Sequence, residues 1–322
     1  MPHSRALFTI IACAVVSGGL PAAAQTFPAK PVRYVVPYAP GGNTDMIARV
    51  MGAKMTETMG QTVVVENRAG AATLIGAEFV ARSPADGYTI LLATSTTLGI
   101  NPHIYKKLPY DPVADFAAVV LIARIPMVLT VHPSLPAKNI KEFIALAKAK
   151  PGQIPYGTAG TGSPSWMSMA LFRSVTKTDL IEVPYKGSGP ADIDLLAGQI
   201  TAMFANTALN YVQSGRLRAL AHTGEKRMTV APEIPTMREA GLKDVVFYSW
   251  QGIVAPARTP PEVIAKLNAE AVRALKQPDA AARITADGAE ILAGTPAEFG
   301  SYIKTELARF GKVIKDSGVR PE

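Results

Sequence analysis

The stretch VRYVVPYAPGGNTD at residues 32–45 joins a β-rich run to a glycine turn and to the first residues of a helix. From Thr44 to Met59, isoleucine and methionine recur every four residues, which is typical of one apolar helix face. Gly60 then ends that pattern. The stretch therefore predicts a strand at 32–36 that leads through a tight turn into a helix.

The same alternation continues outward along the chain. Strands are predicted at 62–66 and 88–94, with a helix at 73–82 between them. A strand–helix–strand–helix–strand order is the pattern of a parallel sheet with helices on its faces. The alternation restarts after residue 132 and continues to residue 221, so a second α/β unit is expected there.

Two β-rich segments interrupt this alternation. Residues 117–131 are apolar apart from a few positions, and they exceed the length of an average strand, about 5–6 residues. They are either two strands or one crossing between domains, and residues 247–254 form the second such segment. Two crossings around a middle unit predict an α/β clamshell, with lobe I at 25–124 plus 251–322 and lobe II at 125–250. A cleft is then expected at the carboxyl ends of both sheets.

Composition narrows the class of protein. Of 322 residues, 48% are hydrophobic and 18% are charged, which suits a packed core and excludes general disorder. The net charge is +8, but no basic run exceeds two residues, so neither a nucleic-acid-binding arm nor a polybasic membrane patch is present. The dispersed positive charge either steers an acidic small molecule or only keeps the chain in solution.

Residues 1–24 are predicted to be a secretory signal peptide. Leu7 to Val16 is apolar, and Ala22-Ala23-Ala24 provides the cleavage pattern. The single cysteine, Cys13, lies in this segment, and the apolar stretch continues past it, which disfavours a lipoprotein. Cleavage leaves no cysteine, so a disulfide scaffold and a thiol-redox function are both excluded.

Two glycine-rich loops are the candidate binding elements. Gly41-Gly42-Asn43-Thr44-Asp45 opens the first helix, with Asn43 or Thr44 as its cap, and the free N–H groups of such a first turn attract anions. Asp45 is expected to interact with the helix dipole, since it would repel an anion. An ordinary strand-to-helix turn is the alternative.

The second loop, residues 157–164, carries three glycines and three hydroxyl groups between a strand and a helix, with Ser163 as cap and Pro164 in the first turn. It matches neither a Walker loop nor a dinucleotide fingerprint. One such loop in each lobe would grip the two ends of a dianion. Further candidates follow other strand ends, and helix capping is the alternative role for each: Thr94 to Thr97, Tyr185 to Gly189 and Asn206-Thr207.

Catalytic patterns are scarce. The histidines are scattered without metal-ligand spacing, and no G-x-S-x-G elbow occurs. A hydrolase that uses Ser163 or Ser188 stays open as an alternative, and it would need a histidine within hydrogen-bond reach. No enzyme activity, metal or cofactor is expected.

Several motifs, in order along nearly the whole mature chain, resemble the substrate-binding proteins of the tripartite tricarboxylate transporters, the Bug or TctC-like family. They include Tyr38-x-Pro40-Gly41-Gly42-x-x-Asp45, Val65-Glu66-Asn67-Arg68-x-Gly70, Tyr156-Gly157-x-x-Gly160-x-Gly162-Ser163, Val183-Pro184-Tyr185-Lys186-Gly187 and Trp250-x-Gly252-x-x-Ala255-Pro256. The resemblance implies a two-lobed periplasmic Venus-flytrap receptor, monomeric, whose lobes are mostly parallel sheets flanked by helices and joined by two crossing strands. It also implies that the receptor captures a small carboxylate and delivers it to integral-membrane permease subunits, with no nucleic-acid partner.

The resemblance also indicates the ligand-binding positions. They are Tyr38, Gly42, Asn43, Thr44, Asp45, Ser95, Thr96, Thr158, Gly160, Thr161, Gly162, Ser163, Trp166, Gly187 and Asn206. Where the family often has His-Leu, this chain has Trp166-Met167, which suggests a ligand with an apolar or aromatic body, hence a dicarboxylate or an aromatic carboxylate. A sensory binding protein that signals to a membrane receptor is the alternative with the same fold.

Overall fold

The computed structural model describes residues 27–318, so the predicted signal peptide lies outside the described residues. The strands of this part of the chain are β1 (Val32–Val36), β2 (Val63–Asn67), β3 (Thr89–Thr94), β4 (Phe116–Pro126), β5 (Val128–Val131), β6 (Pro155–Thr158), β7 (Ile181–Pro184), β8 (Ala202–Ala205), β9 (Arg218–His222), β10 (Tyr248–Pro256) and β11 (Glu290–Ile291).

The α-helices are α1 (Asn43–Met59), α2 (Leu74–Ala81), α3 (Asn101–Ile104), α4 (Ile140–Ala149), α5 (Pro164–Thr176), α6 (Ser188–Leu196), α7 (Leu209–Gln213), α8 (Pro261–Leu275), α9 (Pro278–Thr285) and α10 (Pro296–Asp316). A 3₁₀ turn at Ala71–Thr73 precedes α2, and a π-helical turn at Ser95–Ile100 precedes α3. Within residues 27–318, no helix combines the length and the apolar character that a membrane crossing requires.

The strands form two sheets, and the expected α/β fold is confirmed. The six-stranded first sheet has the order β11-β4-β10-β3-β1-β2, and the five-stranded second sheet has the order β7-β6-β8-β5-β9. In each sheet three strands are parallel: β2-β1-β3 in the first and β7-β6-β8 in the second. In the first sheet β10 lies antiparallel between β3 and β4, and in the second sheet β5 lies antiparallel between β8 and β9.

The long apolar run at 117–131 forms two strands and also crosses from one sheet to the other. The break at Met127 carries the chain from the first sheet to the second. Thr223 joins this crossing to the second one. Its hydroxyl accepts from the Met127 N–H at 2.9 Å and donates to the Phe247 carbonyl at 2.6 Å. Both crossings are therefore tied at one buried threonine.

Helices cover both sheets, as the apolar periodicity predicts. Helices α1 and α8 pack on one face of the first sheet, and α2 packs on the other. Helix α10 serves both sheets: Phe299 and Ile303 join the core of the first, whereas Phe310 and Ile314 join the core of the second. The carboxyl ends of β3 and β8 lie beside the crossings, since Thr94 pairs with Gln251 and Ala205 pairs with Val128. The loops after the parallel strands of both sheets therefore face a common region.

Candidate functional site

The first glycine loop lies between β1 and α1. Gly41 has a φ of 95°, a conformation that favours glycine, and Gly42 is the residue before the helix. The expectation that the Asn43 or Thr44 side chain caps α1 is wrong, because the helix begins at Asn43 and its cap, Gly42, has no side chain. The first-turn N–H groups are thus left without a side-chain cap.

The buried side chain of Asp45 stabilises this loop through hydrogen bonds. Its carboxylate is 4% exposed and accepts from the Gly41 N–H at 3.0 Å, from Arg49 Nε at 2.9 Å and from Asn67 Nδ2 at 2.9 Å. Burial raises the pKa of Asp45, but these hydrogen bonds outweigh burial and hold the pKa below its usual value. The carboxylate is therefore occupied by protein donors, in keeping with a role in shaping the loop.

The turn after β3 lies beside this loop. The Tyr38 hydroxyl is 3.1 Å from Thr94 Oγ1, and Thr94 Oγ1 is 3.1 Å from Thr97 Oγ1. Ser95, which follows, is fully buried, and its hydroxyl has no partner among the residues of the described region. A chain of hydroxyl groups thus runs from the base of the first loop to the turn at 95–97.

The second glycine loop touches this same turn. Thr96 Oγ1 donates to the Gly162 carbonyl at 3.1 Å, although the two residues belong to loops of different sheets. Gly162 also lies against α3, where a Cβ would come within 2.7 Å of Ile104 Cδ1. Its φ of 78° favours glycine, and a side chain there would also have to displace the end of Ile104. The second glycine loop and the turn at 95–97 therefore meet in one region, beside the first glycine loop.

Within the second loop, most hydroxyl groups are used to hold its shape. Thr158 is fully buried and donates to Glu182 Oε1 at 2.9 Å. Ser163 caps α5 as predicted, since its Oγ accepts from the Trp166 N–H at 3.2 Å. Thr161, in contrast, is exposed. The loop can thus offer the Thr161 hydroxyl and backbone N–H groups.

Two further strand ends adjoin the second loop. Gly187, with a φ of 116°, precedes α6. Its loop lies next to Gly160, since a Cβ added to Gly160 would come within 3.2 Å of the Tyr185 carbonyl oxygen. Asn206 follows β8, the other neighbour of β6, and is half-buried. Both predicted positions therefore lie at the same sheet edge as the Gly160 loop.

Trp166 lies away from the sheet edge that carries these loops, inside the second sheet's core. Its side chain is 6% exposed and belongs to the core of the second sheet, and Met167 is fully buried. Trp166 also lines a pocket of about 250 Å³ with Arg173 and Glu182, between α5 and the edge strand β7. Trp166 and Met167 thus pack mainly within the core of the second sheet, and their burial gives no support to a ligand with an apolar or aromatic body.

Two residues of this region were missed in the sequence. Gln251 on β10 is 7% exposed, and its Nε2 donates to Asn43 Oδ1 at 3.0 Å. Asn101 is fully buried and donates to the Ala72 carbonyl at 2.7 Å. A signal for Gln251 was available, because it is the one polar side chain in the run WQGIVAP at 250–256. Nothing in the sequence indicated its distant partner.

Within residues 27–318, no histidine is hydrogen-bonded to Ser163 or Ser188, which is the contact that a hydrolase would need. The Ser163 hydroxyl lies 3.0 Å from Ser165 Oγ, and the three histidines of the described region bond to other groups: Leu307, Ser134 and Gly224. Among residues 27–318, no three His, Cys, Asp or Glu side chains gather closely enough to hold a metal ion.

Both the sequence and the fold of this chain are similar to those of known proteins. Residues 47–319 match the model of the tripartite tricarboxylate transporter family receptor. Protein BugT of Bordetella pertussis is 35% identical over 319 residues, which is 98% of each chain. Among solved structures, a Rhodopseudomonas palustris protein with adipate is 35% identical with a TM-score of 0.85, over 92% of this chain and 100% of that one. MatC of the same organism, with bound malate, is 34% identical with a TM-score of 0.81, over 89% and 100%.

Proposed function

This chain belongs to the receptor family of the tripartite tricarboxylate transporters, and from that membership we propose that it is a periplasmic receptor for a small dicarboxylate. It holds the ligand between two lobes, 25–124 plus 251–322 and 125–250, and delivers it as a monomer to the permease subunits in the membrane. It catalyses no reaction.

The observation that carries this proposal is the hydrogen bond between Thr96 and Gly162. It joins the turn after β3, which adjoins the first glycine loop through the contact between Tyr38 and Thr94, to the second glycine loop before α5. The uncapped first turn of α1 and the backbone N–H groups of the second loop both favour negative charge. A dicarboxylate has two negative ends, so each end can be held by the loop of one lobe. Charge-assisted hydrogen bonds of this kind need no cofactor.

Capture then follows from the way the lobes are joined. The ligand first binds to one lobe, and closure adds the donors of the other lobe and excludes water. Closure is a shift in population, and its extent is limited by how much more tightly the ligand binds the closed form than the open form. The crossings at Met127 and Phe247, both hydrogen-bonded to Thr223, are where such a movement would bend the chain.

Two relatives support a dicarboxylate ligand. Adipate and malate, found with the R. palustris proteins, are both aliphatic dicarboxylates. Because Trp166 and Met167 are buried, no feature of this chain now favours an aromatic carboxylate over them. The aromatic carboxylate is therefore kept as an outcome of the test.

A thermal-shift panel, followed by calorimetric titration, tests the proposal on the purified mature chain. Succinate, malate, adipate, citrate and benzoate are compared with succinamide, which has the same length as succinate without its charge. We expect a dicarboxylate to raise Tm, since a ligand at 100 times its Kd stabilises by about 2.7 kcal/mol. Stabilisation by benzoate alone would reject the dicarboxylate, and no response to any acid would reject the receptor function. Delivery is tested by uptake of the labelled acid in cells with and without this chain.

A further inference from the structure

Gln251 is a buried polar residue in an apolar strand at the crossing. It pairs with Thr94 of β3, and the register of β10 against β4 shifts directly after it, between Gln251 and Gly252. Such a bulge redirects a side chain out of the regular alternation. The Gln251 amide thereby reaches the start of α1, 208 residues away along the chain.

The hydrogen bond that it makes there fixes the orientation of a second amide. Gln251 Nε2 donates to Asn43 Oδ1 at 3.0 Å, so the Nδ2 end of Asn43 is directed away from Gln251. Asn43 is the first residue of α1 and is half-buried, and no residue of the described chain accepts a hydrogen bond from its Nδ2. A free N–H₂ group therefore stands beside the uncapped first turn of the helix.

The reverse orientation of the two amides is the less favourable one. At present one enclosed atom, Gln251 Oε1, lacks a partner among the residues the structure describes. If both amides turned over, the enclosed atom would be a nitrogen with two unsatisfied N–H groups. Asn43 would then also present its oxygen, which repels an anion, beside the first-turn N–H groups.

We propose that Gln251 is a positioning residue of the anion site: it holds the Asn43 amide so that Nδ2 donates to a carboxylate of the ligand. This inference rests on the proposed function and adds to it one side-chain donor and the residue that orients it. Because Gln251 is enclosed and acts through Asn43, it contacts the ligand only indirectly.

A double-mutant cycle separates this role from a purely structural one. We expect Q251M, which keeps the volume and removes the donor, to weaken binding of the best dicarboxylate of the panel about ten-fold, as for loss of one hydrogen bond to a charged group. N43A should weaken binding at least as much, and Q251M in the N43A background should add nothing. Q251E should weaken binding more than Q251M, because its carboxylate accepts from Asn43 Nδ2 and turns Oδ1 toward the ligand.

The control is Q153M, the same substitution at an exposed residue before β6, which should leave the affinity unchanged. Losses that add independently in the cycle, or a Q251M variant with a lower Tm and unchanged affinity, would overturn the inference while leaving the receptor function intact. If the wild-type chain binds no dicarboxylate, the proposed function fails first, and this inference fails with it. Should Q251M not fold, N43L still decides: unchanged affinity in that variant overturns the inference.

Discussion

The hydroxyl of Thr96 and the carbonyl of Gly162 are joined by a hydrogen bond of 3.1 Å, although 66 residues separate them and they follow strands of different sheets. Thr96 is 5% exposed, so the bond lies in a region shielded from water. It is made only while the two loops are close together. Its strength therefore contributes to holding these two loops together rather than to either sheet alone.

The first prediction concerns this bond. We expect T96V, which keeps the side-chain shape, to weaken dicarboxylate binding about five-fold, because one neutral hydrogen bond contributes about 1 kcal/mol. The matched control is T130V, since Thr130 Oγ1 donates to the Met203 carbonyl at 3.0 Å inside the second sheet. T130V should lower Tm and leave the affinity unchanged in calorimetric titration. Equal affinities of the two variants would contradict the role of Thr96.

The second prediction uses the open position at the start of α1. Gly42 has a φ of −83°, and a Cβ there would meet nothing within 4 Å, so both G42D and G42N should fold. Aspartate and asparagine both cap helices well, and we expect either variant to keep or slightly raise Tm. Only aspartate places a negative charge where the carboxylate would bind. We expect the affinity of G42D to be at least ten-fold below that of G42N, and the difference should shrink at high salt.

If G42D and G42N bind equally well, the ligand charge is not held at this helix start. The comparison tests charge alone, because the two side chains have nearly the same size and capping ability.

The third prediction follows from the bonds of Asp45. D45N should lower the free energy of unfolding by about 1–3 kcal/mol at pH 7, since the carboxylate accepts three hydrogen bonds that an amide cannot all replace. The pKa of Asp45 is lowered in the fold, so its stabilisation is present above the usual aspartate pKa and is lost as the pH falls through the folded value. Urea unfolding at pH 7 and pH 3 should therefore show the gap to wild type closing in acid.

The control for D45N is D86N, at an exposed aspartate, which should change the stability little at either pH. A D45N gap that stays constant with pH would contradict the assignment of the effect to the charged carboxylate.

The fourth prediction concerns His222, which is fully buried at the end of β9. Burial lowers the pKa of His222 to about 4, so the unfolded chain takes up its proton first. The stability should therefore fall as the pH drops from about 6.5 to about 4, by about 2–3 kcal/mol in total. We expect H222N to flatten this slope in urea unfolding, since its side-chain oxygen can still accept from the Gly224 N–H.

H132N is the matched control, because it makes the same substitution at a histidine that is only half-buried. An unchanged slope in H222N would show that other groups carry the pH dependence.

Local patterns were sufficient to predict most of the fold. The run at 32–36 and the helix that ends at Gly60 appear as predicted, because their periodicity reports which face is buried. Ser163 followed by Pro164 correctly indicated the start of α5, since capping is an interaction between residues close in sequence. Both glycine loops likewise follow their strands as expected.

The features that local patterns did not predict depend on contacts between residues that are distant in the sequence. Asn43 is not a cap, because α1 already begins at Asn43, and its side chain instead accepts from Gln251, more than two hundred residues later. The sequence does not show whether Trp166 lines the cleft or the core, and only the packing of the second sheet shows that it is buried. The Thr96–Gly162 bond depends on how two sheets are placed, which no local pattern encodes.

Helix α10 has a consequence for how the chain is made. Its early residues Phe299 and Ile303 complete one core, and its later residues Phe310 and Ile314 complete the other. Because a chain emerges from the ribosome in order, the core of each sheet stays incomplete until residues 296–316 have been synthesised. Neither half can finish folding during translation, and a chain interrupted before α10 would expose apolar surface on both halves at once.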